Sequence, residues 1–165
     1  VNLTNESLEW DGIEACIENV VQKYQFPNVQ LGLEITEQDA LSSSIDITKK
    51  IEALKAKGHR FLIDDFGMGH TSLVYLQTKY FNIVKLDGSL TRDVIHNETN
   101  RDIIASIVYL GRSLKFKIIA EYVENEAQRD ELKKLGCDAF QGYLYSKPIK
   151  LDELMSWIKG SGHES

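Results

Sequence analysis

Two cysteines in 165 residues, Cys16 and Cys137, are too few and too far apart for a zinc pattern or a disulfide framework. Both are expected to be ordinary semi-buried thiols, Cys16 in a helix and Cys137 beside Gly136 ahead of a strand. The four histidines follow no metal-site spacing: His59 and His70 fall in turns, and His96 and His163 at exposed positions. No apolar run approaches 18 residues and no secretory leader is visible, so the expected location is cytoplasmic, either free or as the cytoplasmic part of a membrane-associated parent. Basic clusters are also missing, with 25 acids against 19 lysines and arginines and a net charge of −6. A nucleic-acid polymer is therefore not an expected partner. A small anionic ligand stays compatible, because bound divalent cations would supply the positive charge that the chain lacks. FGMG is no phosphate-binding loop, since neither GxxxxGK[ST] nor GxGxxG occurs.

What is present is a 42% hydrophobic chain able to bury a core as one domain. It falls short of the roughly 250 residues typical of an eight-unit barrel. Short β-branched runs alternate with stretches of helical period. VNL opens the chain, and Ile13, Ile17, Val20, Val21 and Tyr24 line a helical face that stops before Pro27. Strands are predicted over about 29–36, 61–65, 82–86 and 117–120, with a last one beginning at 139–141. Helices are predicted around Ile47, Ile51 and Leu54, briefly through Leu73 and Leu76, over about 100–114 and 124–135, and through Leu151, Leu154, Met155 and Ile158. Strand ends near 35, 65, 86, 121 and 141 lie 20 to 35 residues apart, which is βα spacing for parallel neighbours. An open doubly wound sheet fits the same periodicity. Polar residues after nearly every strand favour part of a TIM-type (β/α) barrel, whose chemistry sits at the C-terminal strand ends.

Those polar residues are Glu34, Asp64, Asp65, Lys85, Glu121 and Gln141. Adjacent carboxylates at Asp64-Asp65 repel one another unless a divalent cation lies between them, and a turn at Gly67 and Gly69 would bring both to one site. The bland reading is a helix-capping Asp beside a solvated one; Glu34 and Glu121 at matching strand ends shift the balance to metal. Carboxylates with an amide oxygen, for which Asn2 is the candidate, suit magnesium or manganese better than zinc. Lys85 interrupts an apolar strand, where it either snorkels at the rim or pairs with acids such as Asp87. Glu124, three residues after Glu121, either faces the same opening or caps the next helix. Two ions about 4 Å apart would activate a water and stabilise a phosphoryl group, which points to phosphoester hydrolysis.

LEITE at 33–37, DDFGMGHTSL at 64–73, VKLD at 84–87, AEYVE at 120–124 and QGYLYSKP at 141–148 resemble the EAL domain, a family of cyclic-di-GMP phosphodiesterases and their non-catalytic receptor relatives. The resemblance runs from Val1 to about Ile158, giving a partial domain over 1–158 and a flexible polar tail over 159–165. It implies cyclic di-GMP as ligand, with magnesium or manganese (two ions in the complete domain) and hydrolysis to linear pGpG. It also implies metal-site roles for Asn2, Glu34, Asp64, Asp65 and Glu121, with Lys85 near the attacking water. Gln141 and Glu124 then accompany the site, and Glu37 steadies the loop after DDFG from behind. Several features depart from the family pattern. The Glu-Ala-Leu segment that names it, with its strand and loop, is expected to be absent, leaving about six βα units that correspond to strands 3 to 8. Tyr122 stands where glycine is usual, and Met68 and His70 where threonine and tyrosine are common. Exposed edges imply a homodimer, or complementation by the missing N-terminal units. The expected function is phosphodiesterase as a complete domain, with a weak or inactive isolated chain. The alternative is a non-catalytic cyclic-di-GMP receptor or protein-interaction module.

Overall fold

A computed structural model describes residues 1–24, 31–42, 44–67, 80–150 and 153–154. Among the described residues six strands alternate with helices: β1 (Asn2–Leu3), β2 (Gly32–Thr36), β3 (Arg60–Phe66), β4 (Ile83–Leu86), β5 (Lys117–Ala120) and β6 (Ala139–Phe140). They form one sheet in the order β1-β2-β3-β4-β5-β6, and every pairing is parallel. Spatial order follows chain order without a reversal, so there is no switch point of the kind a doubly wound sheet requires. That excludes the alternative which periodicity left open. The architecture is α/β, an incomplete (β/α)8-type barrel, and among the described residues β1 and β6 are not paired with each other.

The helices are α1 (Asn5–Glu9), α2 (Ile13–Tyr24), α3 (Glu37–Ser42), α4 (Ile45–Ala56), α5 (Gly88–Thr91), α6 (Glu98–Leu114) and α7 (Glu126–Leu135). Their starts are chemically marked. Thr4, Ser44, Asp87, Asn97 and Asn125 each accept a backbone N–H of the first turn, and Asn125 completes a reciprocal capping box with Gln128. Asn125 thus fills the capping role that Glu124 was a candidate for. Likewise Asp87 caps α5, with Ser89 N–H at 2.7 Å, and does not pair with Lys85. In α6 the buried residues Ile104, Ile107, Val108 and Gly111 trace the stripe expected of a helix lying on a sheet. Helices α1, α3 and α5 have no counterpart in the sequence reading. They are too short to show a period.

Alternation along the strands divides the sheet into two faces. Leu33, Ile35, Phe61, Ile63, Val84, Leu86, Ile118 and Ala120 point outward and are buried in the core beneath the helices. The inward face carries Glu34, Asp64 and Lys85 toward the C-terminal ends, together with the apolar Leu62, Ile83 and Ile119. Cys137 is buried, whereas Cys16 is exposed on the outer side of α2 instead of half-buried as its helical context implied. Among the described residues no helix is long and apolar enough to cross a membrane. The predicted stop at Pro27, the helix through Leu73 and Leu76, and most of the final helix lie outside the described residues.

Candidate metal centre

The parallel register sets the site. Asn2 lies opposite Glu34, Thr36 opposite Asp64, and Lys85 opposite Ile119, two residues before Glu121. Every second residue faces inward, so Asn2, Glu34, Asp64 and Lys85 share one face, and Glu121 follows one residue past the end of β5.

Asp64 and Asp65 need a further device, because neighbours on a strand diverge. Against β4 the register moves from Ile63↔Val84 to Phe66↔Leu86, so β3 carries one residue more than its partner. Asp65 is at φ 54°, in the left-handed region. This is a β-bulge, which re-aims a side chain and sharpens the local twist. Both carboxylates reach the mouth, and Phe66 still returns to the core at 3% exposure. A turn after the strand was expected; the strand instead continues through a bulge to Phe66. Gly67 follows at φ 103°, where a Cβ would come within 2.7 Å of Leu90 Cδ1.

Lys85 does not snorkel. Its side chain is 5% exposed, and its Nζ lies 2.9 Å from Glu34 Oε2, 2.9 Å from Asp64 Oδ1 and 2.8 Å from Glu121 Oε1. Burial alone would lower its pKa, but the hydrogen-bonded carboxylates of Glu121, Asp64 and Glu34 outweigh it and hold the ammonium above its ordinary range. Glu121 shows the opposite balance: burial raises its pKa, with Asp64 and Asp65 adding repulsion that Lys85 offsets only in part. Asp65 is raised by burial and by the charges of Asp64 and Asp87. Carboxylate oxygens of Asp64, Asp65 and Glu121 all lie within 4.8 Å of one another. Hard oxygen donors crowded in this way, with two of them raised, fit a magnesium- or manganese-like cation.

Glu124 and Gln141 line the same cavity, of about 440 Å³, together with Asp64, Asp65 and Glu121. Glu37 opens α3, buried at 7% exposure, and its Oε2 accepts the Gly67 N–H at 3.4 Å, while Oε1 has no hydrogen-bond partner among the described residues. It therefore contacts the turn after the aspartate pair and not the cavity. Asn2 is exposed at the edge strand beside Glu34. The string Glu-Ala-Leu does occur, at 52–54, but inside α4: Leu54 is buried and Glu52 accepts from Tyr80 Oη at 3.0 Å. It is a helix segment on the outer layer, away from the strand mouths.

Sequence reasoning missed Arg92, Gly142 and Tyr143 as cavity-lining residues. It also missed the groups beneath them. The buried Thr91 hydroxyl donates to the Glu121 carbonyl at 2.6 Å. Gln128 donates to the Arg92 carbonyl at 2.8 Å and accepts from the Glu124 N–H at 2.9 Å. These contacts tie the loop after β5 to the turn after β4. Only the Asn125–Gln128 capping spacing gave a local sign of them.

A family model for the EAL domain matches residues 1–148. The chain is 34% identical over 158 residues to the bifunctional diguanylate cyclase/cyclic di-GMP phosphodiesterase MucR of Pseudomonas aeruginosa, covering 96% of this chain and 23% of that protein. It superposes on the structure of the PaMucR phosphodiesterase in a c-di-GMP complex with a TM-score of 0.82 and 34% identity, over 93% of this chain and 62% of that one. On Klebsiella pneumoniae BlrP1 in a manganese/cy-diGMP complex the TM-score is 0.82 with 29% identity, over 90% and 38%. The chain thus spans about a fifth to a quarter of the length of the curated relatives it matches. An inward row of acids around one buried lysine, on strands wound in chain order, agrees with a family match spanning nearly the whole sequence: the chain belongs to the EAL domain family.

Proposed function

We propose that this chain is the strand-3-to-8 portion of a metal-dependent phosphodiesterase domain that opens cyclic di-GMP to linear pGpG. The observation that carries the reading is Lys85, buried against Glu34, Asp64 and Glu121 at the mouth of the sheet. Asp64, Asp65 and Glu121 would hold divalent ions, with Asn2 and Glu34 completing the donor set from the neighbouring strands. Two bound magnesium or manganese ions would supply water activation and charge neutralisation at the phosphoryl oxygens. Lys85 stays protonated, so its part is to orient carboxylates and stabilise negative charge, not to accept a proton. Glu37 fixes the turn at Gly67 and so the approach of the aspartate pair. Gln141 and Glu124 border the cavity where the nucleotide would lie.

The strands that would precede β1, with the family's Glu-Ala-Leu segment, belong to the complete domain in this reading, and the isolated chain turns over slowly or not at all. The test is pGpG release from cyclic di-GMP with manganese, by the chain as it stands and by the chain extended with two preceding βα units. Release by the extended form, lost on Asp64→Asn, is the expected result. A folded, metal-loaded extended form that binds the dinucleotide without releasing product favours a receptor instead.

A further inference from the structure

Tyr122 has no role in the metal site, yet it occupies a costly position beside it. Its φ of 54° puts a bulky side chain in the left-handed region. The ring is seated with care. A Cβ on Gly88 would come within 2.6 Å of Tyr122 Cδ2, so the ring lies directly on that glycine. The Arg92 guanidinium lies 4.1 Å from the ring centroid. Gly88 and Arg92 are four residues apart and so on the same side of their helical turn, which covers one face of the ring. Tyr122 nevertheless remains 43% exposed and lines the cavity that holds Asp64, Asp65 and Glu121. Thr91 and Gln128 hold the backbone on either side of this arrangement, through the Glu121 and Arg92 carbonyls.

We propose that Tyr122 is a base-stacking residue, presenting its uncovered face to a purine of the bound nucleotide while Gly88 and Arg92 support the other. This rests on the cyclic-dinucleotide reading above and adds a determinant of affinity to it. The charged residues of the cavity lining are the acids Asp64, Asp65, Glu121 and Glu124 against Arg92 alone, so phosphate groups find little attraction there without metal. A planar base needs no charge to bind an aromatic face. The cation on the supported face restrains the ring, which lowers the ordering cost of stacking.

Binding of cyclic di-GMP is measured by titration calorimetry with calcium, on the full chain and on the extended form, for the wild type and for Tyr122→Phe, Tyr122→Leu and Tyr122→Gly. Tyr122→Phe should bind within about twofold of wild type, and the leucine and glycine variants about 5- to 100-fold more weakly. Leucine keeps bulk without an aromatic face, and glycine relaxes the backbone, so misfolding cannot account for both losses. Wild-type affinity in Tyr122→Leu overturns the stacking role and leaves the phosphodiesterase reading standing. No nucleotide binding by either wild-type form overturns both. Manganese-induced thermal stabilisation is recorded for each variant. Its loss alongside nucleotide binding would show a displaced Glu121 and overturn stacking in favour of a structural role.

Discussion

At the end of β3 the chain runs Asp64, Asp65, Phe66; at the end of β5 it runs Glu121, Tyr122, Val123. In each case an inward acid is followed by a non-glycine residue at φ 54° and then by an apolar residue that returns to the core. The left-handed step costs about 1–2 kcal/mol for an L-residue. At β3 the step yields a second carboxylate beside the first, with the Asp65 N–H donating to Asp64 Oδ1 at 3.1 Å. At β5 it yields an aromatic ring facing the cavity. The same backbone geometry thus serves charge in one place and a planar surface in the other. Lys85 stands between them on β4 and neutralises acids from both sides.

The largest effect should come from removing that link. Lys85→Met leaves three carboxylates without their buried partner and is expected to destabilise the metal-free protein by about 3–5 kcal/mol. Urea unfolding in the presence of a chelator checks this. A loss below about 1 kcal/mol would show that the two strand ends are not joined through the lysine.

Glycine substitutions sharpen the contrast between the ends. Asp65→Gly relaxes the bulge and removes a repelled charge, so metal-free stability should rise by about 1–2 kcal/mol. Tyr122→Gly relaxes the same dihedral but gives up the packing on Gly88 and the Arg92 contact, the latter about 0.5–1 kcal/mol, so it should gain less. Melting temperatures without metal decide the order. A larger gain at Tyr122 would reverse the assignment of charge to one end and packing to the other.

The smallest effect is a pH dependence. Asp65 and Glu121 both titrate above their usual range, Glu121 through burial and Asp65 through burial and its acidic neighbours. An acid raised in the folded state contributes stability while protonated and loses it as pH rises through the folded value. Metal-free stability is therefore expected to fall from the ordinary carboxylate range upward, and manganese should flatten that slope. Chemical unfolding at a series of pH values, with chelator or manganese, provides the comparison. Equal slopes in both would mean that the crowded acids do not respond to a cation.

Much of this was legible in the chain. Period-two alternation placed Glu34 and Lys85 on strands, and βα spacing gave parallel strands, because both signals are local. The bulge was not, since the sequence shows two aspartates but not which one takes a positive φ. Nor were the partners of Lys85, which come from 51 residues before it, 21 before it and just past the end of the following strand. Nothing in the sequence singles out Arg92; only the fold lays it over a ring from another loop. The short helices α1, α3 and α5 escaped because a period needs more than two turns to show.

Manganese binding by the wild type and by Asp64→Asn, followed by electron paramagnetic resonance, probes the convergence of acids most directly. Saturable binding that weakens by at least about tenfold in the variant is the expected result. Equal affinity in the two proteins would contradict a metal centre at this mouth of the sheet.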